Sequence, residues 1–174
     1  FTFRTKNEGG HMDASLFQYK ELVQKAICSG LVDLVDIELF SDKDIVNELI
    51  ALAKEKNIKT ILSNHDFSKT PSENEIFSRL KLMNNAGADI AKIAVMPQNT
   101  EDVLTLLSAT CKAKKELTCP VITMSMAGTG LISRLSGEVF GSCLTFGAAG
   151  SVSAPGQINA LTLRSVLELL HENS

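Results

Sequence analysis

Short runs of β-branched and aromatic residues alternate along this chain with longer segments whose apolar positions recur every three or four residues. The runs predict strands over Phe1–Thr5, Val32–Glu38, Thr60–Asn64, Asp89–Val95, Val121–Met126 and Cys143–Phe146. Their starts at 1, 32, 60, 89, 121 and 143 have the spacing of a βα repeat, and hence of a parallel sheet. Between them, Ile45, Val46, Leu49, Ile50 and Ala53 form one helical stripe, Ile76, Phe77, Leu80 and Met83 a second, and Val103, Leu106 and Leu107 a third. Ser41 and Thr100 are expected as N-caps, and Thr70-Pro71-Ser72-Glu73 as a capping box with proline at the first helical position. Gly87 suits the residue past a helix end. A last helix is expected from about Gly156 to His171, burying Leu161, Val166, Leu167 and Leu170.

Side chains alternate across a strand, so parity assigns each to a face. Arg4 lies with Thr2, Glu38 with Asp36 and Leu34, His65 with Ser63 and Ile61, and Lys92 with Ile90 and Ala94. The opposite faces are apolar and suit covering helices. A βα repeat builds either an open doubly wound sheet or a closed (β/α)8 barrel, and no GxGxxG follows the first strand. Polar groups gathered toward the strand ends favour the barrel, whose active site lies at that rim.

Lys92 interrupts the run Ala88-Asp89-Ile90-Ala91-Lys92-Ile93-Ala94-Val95, where an unpaired ammonium would cost several kcal/mol. Two readings follow: an ion pair with Glu38 or Asp36, or a desolvated amine able to form an imine with a ketone. Ala94 beside it leaves room for a ligand. His65, at a strand end, suits proton transfer near neutral pH, whereas His11 and His171 are expected in solvent. Glu8 is near enough to the first strand's end to orient a histidine, and Arg134 suits bidentate binding of a carboxylate. The stretch from Gly147 to Gln157 is rich in glycine and small polar residues, as in a lid over a barrel mouth or an anion cradle.

The 174 residues suffice for one domain, 44% of them are apolar, and the net charge of −3 supplies no basic field for nucleic acid. No apolar run approaches membrane-spanning length, and no leader is expected. Cys28, Cys111, Cys119 and Cys143 lack metal-ligand spacing and are expected as free, mostly buried thiols in the cytoplasm. Because the chain opens on Phe1-Thr2-Phe3 without a methionine, it is expected to begin inside a longer protein.

Six segments carry a resemblance. They are Phe1-Thr2-Phe3-Arg4-Thr5-Lys6 with Glu8-Gly9-Gly10, Asp36-Ile37-Glu38-Leu39-Phe40, Ser63-Asn64-His65-Asp66-Phe67, and Ala91-Lys92-Ile93-Ala94-Val95-Met96-Pro97. The series ends with Thr123-Met124-Ser125-Met126 and Thr145-Phe146 through Ser153-Ala154-Pro155-Gly156-Gln157. In this order the chain resembles the type I 3-dehydroquinate dehydratases of the shikimate pathway. The resemblance implies conversion of 3-dehydroquinate to 3-dehydroshikimate and water through an imine on Lys92, with His65 as general acid/base and Glu8 orienting it. It also implies that Arg134, Ser153 and Gln157 bind the substrate carboxylate and nearby hydroxyls, and that Arg4, with Glu38 among the neighbouring acids, completes the polar side. Met124, Met126 and Phe146 would form the apolar wall. No metal or organic cofactor is implied, and a cytoplasmic homodimer is.

The family is a complete (β/α)8 barrel, and its first two βα units have no counterpart here, nor does the Glu-x-Arg pair of its second strand. The expectation is a single, N-terminally incomplete barrel domain over residues 1–174, with six parallel strands. Its rivals are a catalytically incompetent fragment of that enzyme and another lysine-imine barrel of the aldolase type.

Overall fold

The computed structural model describes residues 1–152 and 154–173. Four strands, β1 (Leu34–Glu38), β2 (Lys59–Asp66), β3 (Ile90–Val95) and β4 (Val121–Ser125), form a parallel sheet in sequence order. Helices α1 (Leu16–Cys28), α2 (Lys43–Glu55), α3 (Glu73–Asn85) and α4 (Thr100–Glu116) cover one face of it. The shorter α5 (Leu131–Leu135) and α6 (Gly137–Phe140) and the terminal α7 (Ala160–Glu172) follow β4.

The main core is the helix-covered face. Val35 and Ile37 of β1, Leu62 of β2, and Ala91, Ile93 and Val95 of β3 meet Val23, Leu49, Ile76, Leu80 and Leu106 from the helices. Such two-layer burial, hydrophobic in the strand at every second position, is what drives each βα pair to dock. The other face carries a smaller apolar group, Ile61, Ala94, Ile122, Met124 and Met126, beside Asp36, Glu38, Ser63 and Lys92. Register places Glu38, Ser63, Lys92 and Ile122 in one row across the sheet and His65, Ala94 and Met124 in the next row toward the strand ends.

The two outer strands expected from the sequence are not formed. Phe1–Thr5 lies parallel to β1 but makes one bridge to it, Thr2 to Asp36, besides a local one from Thr5 to Met12. At the other edge there is a bridge from Val121 to Ser142, just before the expected Cys143–Phe146, and a Cys143 N–H bond to the Val121 carbonyl. Each runs along an open edge with a partner on one side only, so a continuous ladder has half the hydrogen bonds that hold an inner strand. The helix starts also move. Asp42 rather than Ser41 caps α2, accepting from Asp44 and Ile45, and Asn99 rather than Thr100 caps α4. Ser72 caps α3, which leaves Pro71 outside the helix; Gly87 does follow its end at φ +86°. A capping box between Ser15 and Gln18 opens α1.

The last helix begins four residues later than expected, where Asn159 accepts from Leu161 and Thr162. Leu161, on the opposite side of the helix from Leu170, is 76% exposed; Leu163 is the buried residue, with Val166, Leu167 and Leu170 half-buried. The cysteines are less buried than expected: Cys28 and Cys143 are exposed, Cys111 and Cys119 half-buried, and all four are free. No helix among the described residues is long and apolar enough to cross a membrane.

Because Leu80 is fully buried between α3 and the sheet, Leu80→Ala should cost about 2–5 kcal/mol, read as a lower urea midpoint. A loss below about 1 kcal/mol would show that this layer is loosely packed.

Candidate active site

A cavity of about 630 Å3 opens on the helix-free face of the sheet. Arg4, Glu8, His65, Lys92 and Arg134 give it charge and proton-transfer groups, while Ala94, Met124, Met126 and Phe146 form an apolar wall. These residues come from the N-terminal segment, β2, β3, β4, α5 and the following loop, and parallel strands with one shared direction bring their ends together.

Lys92 is 7% exposed, and its Nζ lies 2.9 Å from Asp36 Oδ2 and 5.0 Å from the centre of the Phe146 ring. Of the two acids available to it by parity, it takes Asp36, which lies one strand beyond its neighbour Ser63. Asp36 Oδ1 accepts from Arg4 Nη2 at 2.7 Å and from the Ser63 hydroxyl at 2.6 Å. Burial opposes the charge of Asp36, but Lys92 and Arg4 outweigh it and hold the carboxyl at about 2. Arg4 also donates to Glu38 at 3.0 Å and to Glu8 at 3.4 Å. Glu38 accepts further from the Thr5 backbone and hydroxyl, so it braces the N-terminal segment and lies outside the lining of the Lys92 cavity.

Glu8 ends a short 3-10 turn, Lys6–Glu8, and Gly9 leaves that turn at φ +87°. Its Oε2 accepts from the His65 backbone N–H at 3.1 Å and lies 2.9 Å from His65 Nδ1, while Oε1 accepts from Asn64 Nδ2 at 3.1 Å. Phe67 stacks on the imidazole at 6.5 Å. A Cβ on Gly9 would come within 2.2 Å of that Phe67 ring, so glycine is needed here for the ring's approach as well as for φ. Burial lifts the Glu8 carboxyl to about 7, against the pull of Asn64 and Arg4. Burial, then the charges of Arg4 and Lys92, push the His65 imidazolium down to about 3. The pair is therefore a neutral imidazole on a carboxyl that ionises near neutrality. With Glu8 ionised, Nδ1 donates to it and Nε2 keeps a free lone pair, the tautomer a general base needs.

Arg134, 1% exposed, donates from Nη2 to the Pro155 carbonyl at 3.1 Å and from Nη1 to Met124 Sδ at 3.5 Å. Its Nε has no partner, and among the described residues no acid pairs with it. Burial alone pushes its guanidinium below the usual value. A buried fork with spare donors at a cavity wall can take an anionic group. Gln157 lines the same cavity, and Ser153 lies outside the described residues. His11, expected only in solvent, is exposed and also at this mouth; His171 is exposed and paired with Glu138 at 2.7 Å. Among the described residues no three His, Cys, Asp or Glu side chains group as metal ligands.

Asp36 is one of the two acids expected as a partner of Lys92, whereas the places of Asn64 and Phe67 beside Glu8 and His65 are not expected from the sequence. Parity signals Asp36, since it shares a face with Glu38; Asn64 has the opposite parity and reaches Glu8 only because the turn brings the acid over the strand end.

A buried lysine, a histidine held by a carboxyl and a buried arginine meet around one cavity of a parallel α/β sheet, an arrangement suited to an enzyme that acts on a small molecule. The family model for type I 3-dehydroquinase matches residues 1–174, and the chain belongs to that family. A 3-dehydroquinate dehydratase of Bacillus subtilis is 55% identical over 175 residues, covering 100% of this chain and 69% of the relative. One from Escherichia coli O9:H4 is 54% identical over 173 residues, with 99% and 69% covered. The crystal structure of the Clostridium difficile type I enzyme with covalently modified comenic acid superposes with a TM-score of 0.95 at 54% identity, over 99% of this chain and 68% of that one. The chain is accordingly a type I 3-dehydroquinate dehydratase, a hydro-lyase, and nothing favours the aldolase-type or inert-fragment alternatives.

The pair also shapes acid stability. His65, depressed from 6.5 to about 3, contributes stability present above pH 6.5 and lost as pH falls. Glu8, raised from 4.5 to about 7, contributes stability present below pH 4.5 and lost as pH rises toward 7. The two offset each other between pH 6.5 and 4.5. Glu8→Gln removes one side of that balance, so its melting temperature should already fall with acidity below pH 6.5, where the parent's contribution is flat. Parallel melting curves for parent and variant across that window would contradict the pairing.

Proposed function

We propose that Lys92 is the imine-forming nucleophile of the dehydration, with His65 its proton-transfer group and Glu8 the orienting acid. The observation that carries this reading is the convergence of Lys92, neutral His65 and an acid-free Arg134 on one cavity. The Lys92 amine adds to the ring ketone, and loss of water leaves an iminium on Nζ. Asp36 Oδ2, already at hydrogen-bond distance from that nitrogen, stabilises the cation. The iminium acidifies the adjacent carbon, and His65 Nε2 takes its proton to give an enamine. The electron pair then returns toward the ring to expel the hydroxyl, which leaves as water with the proton His65 holds. Hydrolysis of the imine frees 3-dehydroshikimate and the lysine.

Arg134, with Ser153 and Gln157 from the loop, is the group for the substrate carboxylate, since its unpartnered Nε and the Nη2 shared with a carbonyl are the spare donors. Arg4, anchored by Glu38 behind it, forms the polar wall, and Met124, Met126 and Phe146 the apolar one. The imine itself is the electron sink, so the residues need no cofactor.

The same reading takes residues 1–174 as part of one (β/α)8 barrel. Its support is that α1–α4 cover one sheet face only, while rows such as Glu38, Ser63, Lys92 and Ile122 stack on the other, as barrel interiors do. Phe1–Thr5 and Cys143–Phe146 then occupy the strand positions on either side of a gap two strands wide.

Borohydride added with 3-dehydroquinate should fix a covalent mass on Lys92, located by peptide mass spectrometry; labelling at another lysine would overturn the assignment. Lys92→Met should abolish turnover, by a factor of at least about 10^3, while ligand binding stays measurable by calorimetry. Near-normal turnover of that variant would exclude the imine route.

A further inference from the structure

Two residues outside the cavity lining complete a line of hydrogen bonds that ends on Glu8. Arg79 projects from α3, where its Nε donates to Glu75 at 2.8 Å and its guanidinium lies over the Phe40 ring at 5.7 Å. Asp66 Oδ2 is 3.6 Å from its Nη1. That Nη1 donates to Asn64 Oδ1 at 2.9 Å, and Asn64 Nδ2 donates to Glu8 Oε1 at 3.1 Å. Asn64 is buried.

An asparagine amide can be turned over, exchanging its donor and acceptor ends. Arginine settles the choice, because a guanidinium has donors only. With Oδ1 held by Arg79, the NH2 end must face Glu8, and an NH2 group cannot accept a proton from a carboxylic acid. The other oxygen of Glu8 already takes the His65 backbone N–H and ring Nδ1.

We propose that Asn64 and Arg79 are positioning residues for the dehydration: Arg79 fixes the amide of Asn64, and Asn64 keeps Glu8 as the carboxylate acceptor that sets the tautomer of His65. This rests on the reading of His65 as general base. A flipped amide would present its oxygen to Glu8 Oε1 and favour the protonated acid, leaving Oε2 as a neutral carbonyl oxygen and a weaker acceptor for Nδ1–H. The imidazolium that forms when Nε2 takes the substrate proton would then lose its counter-charge, and His65 would be a poorer base. Among the forces on Glu8, burial favours the acid, and the Asn64 bond is the largest that opposes it. Arg4 also opposes it, Asp36 favours the acid, and Glu38 and Lys92 complete the charges around the pair.

The test is the pH profile of kcat/KM in the full chain for the parent, Glu8→Gln, Asn64→Leu, Arg79→Leu and Arg79→Lys. The parent should gain activity through a limb near pH 7 that Glu8→Gln removes. Asn64→Leu should move that limb up by about one pH unit, the size of one lost charge-assisted hydrogen bond. Activity would fall about tenfold at pH 6 and stay within about twofold at pH 9. Arg79→Leu should move it in the same direction by about half as much, with KM little changed, and Arg79→Lys should restore it. A limb that Glu8→Gln removes but that neither Asn64→Leu nor Arg79→Leu moves would overturn the proposal, as would a loss equal at every pH. Absence of such a limb in the parent would instead overturn the base reading and this proposal with it. Should Asn64→Leu not fold, the two Arg79 variants decide the matter.

Discussion

The carboxylate of Asp36 neutralises two cations at once, buried Lys92 through one oxygen and half-buried Arg4 through the other. Without it, Lys92 would lose its acid and Arg4 would keep only Glu38 and Glu8, leaving a buried ammonium uncompensated at a cost of several kcal/mol. Arg4 also gathers Glu38 and Glu8 through its second nitrogen, and Glu8 in turn holds His65. The site is thus one connected electrostatic object. Removing Asp36 would take from Lys92 the acid it is paired with, and changes at the other members would alter the partners of their neighbours, so effects should spread beyond the residue changed.

That connection also explains how the pair of proton-transfer groups can sit so far from their solution behaviour. Burial pushes both Glu8 and His65 toward their neutral forms, and fixed donors on Glu8 pull it part of the way back. The imidazole stays uncharged beside two cations, so it can accept a proton without first losing one. Phe67, admitted by the bare Cα of Gly9, keeps the ring from rotating out of this arrangement.

Much of this could be read from alternation alone. β1 to β4 fall within two residues of the runs that predict them, and Glu38, His65 and Lys92 take the faces that parity gives them. The outer strands did not form because alternation reports which side chains can be buried, not whether a neighbour exists to complete the ladder; Phe1–Thr5 and Cys143–Phe146 each lack one. The shifted caps have a similar origin. Ser41 is a good cap by type, but the adjacent Asp42 has the backbone conformation and accepts two N–H groups. The choice of Asp36 over Glu38 by Lys92, and the reach of Asn64 across a turn, depend on side-chain paths that no spacing rule contains. Leu161 shows the limit for helices: it lies on the opposite side of α7 from Leu170, and Leu163 holds the buried position on the face with Val166, Leu167 and Leu170.

Lys92 has a further consequence, for the folding of the sheet. On β3 it alternates with Ala91 and Ile93, which lie in the helix-covered core. A slip of one residue in the pairing of β3 with β2 would carry its ammonium into that dry layer and turn Ile93 toward the cavity. Such a slip would cost several kcal/mol for the stranded charge alone. An uninterrupted apolar run would tolerate slips of either parity; the lysine within it excludes every odd one. The group placed here for chemistry therefore also acts as an alignment key for the strand that bears it.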